Sequence, residues 1–268
     1  MPDTILSLNH IAVTLLSADG TSHEITRDVS LEVAQREIVS IVGPSGSGKT
    51  TLLRAASGLR PPSSGTVTFR GDAVRQVPAG MSIVFQEYNK SLFPWLTIAK
   101  NVAMGSREKT KEARRAHAED ALIKVGLSGM GSRFPWELSG GMQQRAALAR
   151  AMVSNPSLLM MDEPFASVDA LTRNHLEDVV LQLWQSSEFA IVMVTHDVGE
   201  AVYLSDRVLV LSARPSVVLA EIPIDLPRPR TQLETRKSKA FVDLQAQVLE
   251  RVEHAGRRSV GLVSGDQE

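Results

Sequence analysis

The stretch IVSIVGPSGSGKTTLLRAA, residues 38–56, constrains this chain more than any other. Its first five residues are apolar apart from Ser40 and mostly β-branched, which suits a strand buried on both faces. Gly43, Gly48, Lys49 and Thr50 then match G-x-x-x-x-G-K-[ST], and a helix runs on from TTLLRAASGL towards Gly58. A buried strand, a glycine-rich loop and a helix in that order form the context in which the motif binds phosphate. Gly43, Pro44, Ser45, Gly46, Ser47, Gly48, Lys49, Thr50 and Thr51 make up the candidate cradle. Successive backbone N–H groups in such a loop form an anion nest, and the helix N-terminus adds partial positive charge. Lys49 is placed to reach the β- and γ-phosphates of a nucleotide such as ATP. The Thr50 hydroxyl is placed to ligate Mg2+.

The rest of the chain supplies the scaffold for such a loop. ILSLNHIAVTLL and ITRDVSLEV flank a turn at SADG and read as strands, as does TVTFRG. SLLMM (157–161) and AIVMV (190–194) are short apolar runs suited to buried parallel strands, with a helix over LTRNHLEDVVLQLWQSS between them. DRVLVLS and VVLAEIPI read as further strands. From about residue 87 to 155 the character turns helical, with an amphipathic stretch ending near Gly126 and a stronger helix over MQQRAALARAMV. Beyond Pro223 the sequence PIDLPRPRTQLETRKSK is Pro-rich and charged. It is expected to be an extended tail leading to a helix around 238–255. The alternation predicts an α/β fold with a β-rich start, a helical insertion and a domain boundary near 222.

Two strand ends carry acids or bases suited to phosphate chemistry. Asp162 closes the run SLLMMD, where a carboxylate sits at the carboxyl end of a buried strand and can hold a metal. Glu163 follows on the opposite side and is free to polarise a water. His196 follows IVMVTHD, and Gln86 ends SIVFQ. Both are expected at the rim of the phosphate site, although a lone histidine after a strand is more often structural.

LSGGM (138–142) is a second glycine pair preceding a helix. Ser139 can cap that helix while Gly140 and Gly141 let backbone N–H groups approach an anion. A plain cap fits the same residues. With one phosphate cradle already complete, a second is best suited to a nucleotide held by a neighbour.

Composition narrows the function. The 29 basic and 30 acidic residues are interspersed and give a net charge of −1, which provides no field for nucleic acid. With no cysteine, thiol nucleophiles and thiolate metal sites are excluded. The N-terminus MPDTILSLNH lacks the basic region of a signal peptide, and the apolar runs are too short to span a bilayer, so any membrane role comes through a partner.

In the order GPSGSGKTT, Gln86, LSGGMQQR, SLLMMDEP, SVDA and THD, the chain resembles the ATPase subunit of ABC transporters over residues 5–215. FQEYNKSLFPWLTIAKNVAMG and MMDEPFASVDALTR are most similar to the nitrate, sulfonate and taurine importers. The resemblance implies a P-loop NTPase core with a parallel sheet, an N-terminal antiparallel β-subdomain and an inserted α-helical subdomain over about 87–155. The ATPase domain spans 1–222, with a C-terminal extension over 223–268. It implies Gln86 as the metal-sensing glutamine, Asp162 as the metal ligand and Glu163 as the general base. It also implies His196 as the switch histidine and Asp169 as a dimer contact. Ser139, Gly140 and Gly141 become the signature reaching the γ-phosphate bound to a second copy. The implied assembly is a head-to-tail homodimer on the cytoplasmic face of the cell membrane. It joins permease subunits, with a periplasmic or extracellular solute-binding protein beyond them, and a socket around Phe93, Pro94 and Trp95 receives a permease helix. Two positions depart from the pattern. Leu15 or Leu16 stands where an aromatic ring stacks on adenine, and Arg36 stands where glycine precedes the EIVSIVG strand. The competing readings are an exporter or lipoprotein-release ATPase, a non-transport ATPase of the same family and a P-loop kinase. The kinase has no use for LSGGM.

Overall fold

The computed structural model describes residues 3–87, 91–166 and 168–260, without the side chains of 258–260. Tyr88, Asn89 and Lys90 of the stretch after Gln86, and Ser167 of SVDA, lie outside the described residues. The chain forms two compact units: residues 1–78 with 190–268, and the intervening 79–189.

In the first unit, β1 (Thr4–Leu16) and β2 (Ser22–Ala34) form a long hairpin, and β4 (Ser64–Phe69) and β5 (Asp72–Ala73) extend it in the order β2-β1-β4-β5. All these pairings are antiparallel. The alternation in DVSLEV appears as Val29, Leu31 and Val33 buried and Asp28, Ser30 and Glu32 exposed, the signature of a sheet with one covered face. A second sheet is built on β3 (Ile38–Val42), all five residues of which are buried. It pairs in parallel with β8 (Ala190–Val194) on one side and β9 (Arg207–Leu211) on the other. β10 (Val218–Pro223) closes the β9 edge antiparallel. The one polar residue inside β3, Ser40, accepts a 2.5 Å hydrogen bond from Ser205, so its buried hydroxyl is partnered. Helix α1 (Lys49–Ala56) leaves the loop after β3.

The second unit holds the parallel pair β6 (Met81–Val84) and β7 (Leu158–Asp162) with three helices: α2 (Ile98–Ala103), α3 (Lys111–Lys124) and α4 (Gly140–Met152). Helix α5 (Ala170–Ser186) follows β7. Thr97, Thr110, Ser139 and Asp169 each cap a helix by accepting from a backbone N–H in its first turn. The expected apolar stripe of α4 is realised at Ala146, Ala149 and Val153, all buried, with Met142 half-buried. In α3 the stripe shifts: Ala118, Ala121 and Leu122 are buried while Ala116 is exposed.

The stretch after β10 differs most from expectation. Instead of an extended tail, Ile224, Leu226 and Arg230 are buried, and helix α7 (Gln232–Lys237) precedes α8 (Lys239–Val260). Prolines and charges there serve a strap laid on the first unit. It packs against α6 (Val198–Leu204), the short helix after β8. Among the described residues, no helix is long and apolar enough to cross a membrane.

Candidate functional site: a nucleotide-binding loop and a signature helix

The glycine-rich loop leaves the carboxyl end of β3. Lys49 is 6% exposed, and its ammonium donates back to the carbonyls of Gly43 at 2.9 Å and Pro44 at 3.0 Å. A buried cation is tolerable only with such partners. The same bonds hold the charge inside the loop's curve. Ser47 is 1% exposed, and its hydroxyl finds no hydrogen-bond partner among the described residues. A buried hydroxyl with no protein partner, close in sequence to a buried lysine, is suited to accept an anion as its partner. Gly48 has φ 95°, and a Cβ there would lie 2.5 Å from Ile25 Cγ2 on β2. Only glycine therefore lets the loop turn into α1 so close to the antiparallel sheet. Phosphate oxygens fit this donor set.

Parallel pairing decides what reaches the same edge. Ile41 lies opposite Val194, so the loop after β3 and the Thr195–Asp197 turn after β8 leave their sheet at the same end. His196 is in that turn, exposed, between two anchored neighbours. The Asp197 N–H donates to Thr195 Oγ1 at 3.0 Å, and Thr195 donates to buried Glu200 at 2.6 Å.

In the second unit the same logic applies. Val84 pairs with Met161, so Gln86 and Glu163 emerge together, and Gln86 Nε2 donates to Glu163 Oε2 at 3.2 Å. Asp162 is 3% exposed at the end of β7. Glu163 departs from strand geometry: its φ of 45° is in the left-handed region, so β7 ends at Asp162. Asp162 and the Thr50 hydroxyl are hard oxygen donors suited to Mg2+. Among the described residues, no cluster of three or more His, Asp or Glu is set to hold a metal by itself.

Ser139 and Gly140 are exposed at the start of α4, and Ser139 Oγ accepts from Met142 N at 3.4 Å. Gly141 has a different surrounding. A Cβ on it would lie 2.4 Å from Thr172 Cγ2. Thr172 in turn donates its hydroxyl to Asp169 at 2.7 Å, and Asp169 also accepts from the Leu171 and Thr172 amides at 3.1 and 3.0 Å. These bonds, that of the Thr172 hydroxyl foremost, hold the Asp169 carboxyl below its ordinary range. The signature glycine and the SVDA aspartate are thus joined through Thr172, a residue that no motif marks.

Sequence reasoning also missed Asn101. It is fully buried; its side chain accepts from Phe93 N at 2.7 Å and donates to the carbonyls of Phe93, Leu96 and Thr97. It therefore organises the FPWLT turn, in which Trp95 is 69% exposed with its ring 5.3 Å from that of Phe93. An asparagine four residues past a threonine carries no such signal in isolation. A cavity of about 530 Å³ beside α2 and α3 is lined by Thr97, Lys100, Arg114 and Glu119 among others, and by none of the candidate phosphate-site residues.

Residues 26–166 match the family model described as ABC transporter, over half of the chain. The chain belongs to the ABC transporter family. It is 44% identical over 86% of its length to an uncharacterized ABC transporter ATP-binding protein of Methanocaldococcus jannaschii, covering 85% of that protein. It is 38% identical to the aliphatic sulfonates import ATP-binding protein SsuB of Bacillus licheniformis, over 85% of this chain and 87% of the relative. The nitrate import ATP-binding protein NrtC of Synechococcus elongatus is 37% identical over 91% of this chain, which spans only 38% of NrtC. Among solved structures, the dimeric post-hydrolysis state of the ATP-binding cassette MJ0796 bound to ADP and Pi superposes with a TM-score of 0.72. It is 28% identical, with 83% of this chain and all of that one covered. The antiparallel and parallel sheets with a helical unit are therefore the ABC ATPase fold.

Both departures from the ABC pattern have a structural setting. Leu16, near the end of β1, is 75% exposed, leaving an aliphatic surface where the family places a ring. Arg36 has φ 59°, so the turn before β3 adopts the left-handed conformation that glycine reaches without strain.

Proposed function

We propose that this ABC ATPase hydrolyses ATP to energise import of a small anion such as a sulfonate or nitrate. The reading is carried by one observation: a complete phosphate cradle with a buried lysine and an orphan Ser47 hydroxyl, in a chain that also exposes Ser139 and Gly140 on a separate helix start. Two copies related by a two-fold axis would use both, the loop of one and Ser139–Gly141 of the other. In that dimer Asp169 lies at the contact.

Gly43 to Thr51 bind the phosphates, with Lys49 offsetting charge that builds during in-line attack. Thr50, Gln86 and Asp162 would hold Mg2+, which would neutralise phosphate charge when bound. Glu163 accepts the proton of the attacking water, and His196 orients that water towards the γ-phosphate. Adenine packs on the exposed Leu16. The turn carrying Phe93, Pro94 and Trp95 receives a cytoplasmic helix of a permease, and the permease with its solute-binding protein selects the solute. That assignment keeps the chain peripheral, on the cytoplasmic face of the cell membrane.

Glu163→Gln tests the chemistry. The variant is expected to bind ATP and dimerise, with turnover reduced on the order of a hundredfold or more, the scale on which a positioned base contributes. Normal hydrolysis by that variant would remove Glu163 from its role. Copurification of the chain with a permease and a solute-binding protein from native membranes tests the import reading.

A further inference from the structure

The segment from Arg230 to Gln245 supplies none of the phosphate-loop residues, yet it grips the helix next to His196 at three points. Helix α6 has seven residues, too few to be stable without tertiary support. Its first turn is tied to both neighbours of His196: Asp197 caps it by accepting from Glu200 N at 3.0 Å, and Thr195 donates to the Glu200 carboxylate. At its far end, Arg230 is 6% exposed. Its guanidinium donates to the carbonyls of Tyr203 and Ser205 at 2.8 Å each and of Val202 at 3.4 Å. These are the acceptors a helix leaves unpaired at its C-terminus, where a cation is also favoured by the helix dipole. Burial pushes this guanidinium down to about 10, so it remains charged at neutral pH. In the first turn itself, a Cβ on Gly199 would lie 3.1 Å from Arg236 Nη1 and 3.4 Å from Gln245 Nε2, so side chains of α7 and α8 lie close against the start of α6. Arg236 also covers the ring of fully buried Tyr203 at 4.8 Å and that of Phe241 at 5.5 Å.

We infer that the segment from Arg230 to Gln245 is a positioning element for His196, acting through α6. Arg236 is its central positioning residue. The inference rests on the reading of His196 given above. A strap that fixes α6 at both ends fixes the Thr195–Asp197 turn, and with it the imidazole.

The test is a double-mutant cycle on ATP turnover by the full-length chain, with Arg236→Ala and His196→Ala made singly and together. Arg236→Ala is expected to lower kcat about fivefold, within the range by which residues away from a site modulate it, with KM for ATP unchanged. In the His196→Ala background the same change is expected to leave kcat unaltered, because the group it positions is gone. A fivefold loss in both backgrounds, or a loss confined to KM, would overturn the inference and leave the ATPase reading intact. Full turnover by His196→Ala alone overturns the role of His196 and the inference with it. Gln245→Ala provides a milder check should Arg236→Ala fold poorly: a smaller fall in kcat at constant KM supports the strap, and unchanged kcat counts against it.

Discussion

Substituting Gly141 with alanine isolates the link between the signature helix and the aspartate that follows β7. Glycine inside a helix costs about 1 kcal/mol relative to alanine, so on propensity alone Gly141→Ala stabilises α4 by about that amount. Against this stands the 2.4 Å approach of the new Cβ to Thr172 Cγ2. Thr172 is β-branched and its hydroxyl is held by Asp169 at 2.7 Å, so it does not swing aside without losing that bond. Overpacking of this kind costs about 1–3 kcal/mol. The expected net is a destabilisation of about 1 kcal/mol, obtained from a midpoint for guanidinium unfolding at constant m. Thr172→Ser removes Cγ2 and keeps the hydroxyl. Of the remaining atoms, Thr172 Cβ would stand 3.7 Å from the new methyl group, an ordinary contact. In that background Gly141→Ala should become stabilising by about 1 kcal/mol, the propensity term alone. An equal cost in both backgrounds would show that Thr172 is not what excludes a side chain at 141.

Two further outcomes follow from local geometry. Gly48→Ala combines a left-handed backbone with a 2.5 Å approach to Ile25, so it is expected to cost about 2–4 kcal/mol in unfolding free energy. It should also abolish the thermal shift that nucleotide produces; an unchanged shift would contradict the tight seating of the loop against β2. Asp169 titrates below its ordinary 3.8 because the Thr172 hydroxyl and two amides favour its charged form. Its capping contribution is therefore fully present above that value and is lost as pH falls through the lower folded-state value. Carboxyl NMR titration checks this, with Thr172→Val expected to move the midpoint upwards; a midpoint at or above 3.8 in the unmodified chain would refute it.

The parts legible in the sequence are those where one residue type has one use. Four apolar residues in five ahead of GPSGSGKT leave β3 no alternative to burial, and Asp162 closes a similar run as a carboxylate at a strand end. What escaped reading depends on contacts distant in sequence or on dihedrals that composition does not encode. The six residues of α2 are too few to display a period of their own within the stretch that reads as helical. Glu163 was expected opposite Asp162 from strand alternation, whereas its position is set by a left-handed φ and a bond to Gln86. The charged, proline-rich strap read as an extended tail because nothing local reveals that Arg230 has helix carbonyls waiting for it. Thr172 and Asn101 matter only through partners that the fold brings to them.

The order in which strands enter the sheet bears on how the chain is made. β3 is complete by residue 42, yet its partners β8 and β9 lie beyond residue 189. On a ribosome adding about 5–20 residues per second, the phosphate loop spends several seconds tethered to a strand with no neighbours. Meanwhile residues 79–189, which form one contiguous compact unit, have emerged. Nucleotide affinity therefore arises late in synthesis, after the signature helix has emerged. A nascent chain stalled before β8 is expected to expose an unpaired, aggregation-prone β3.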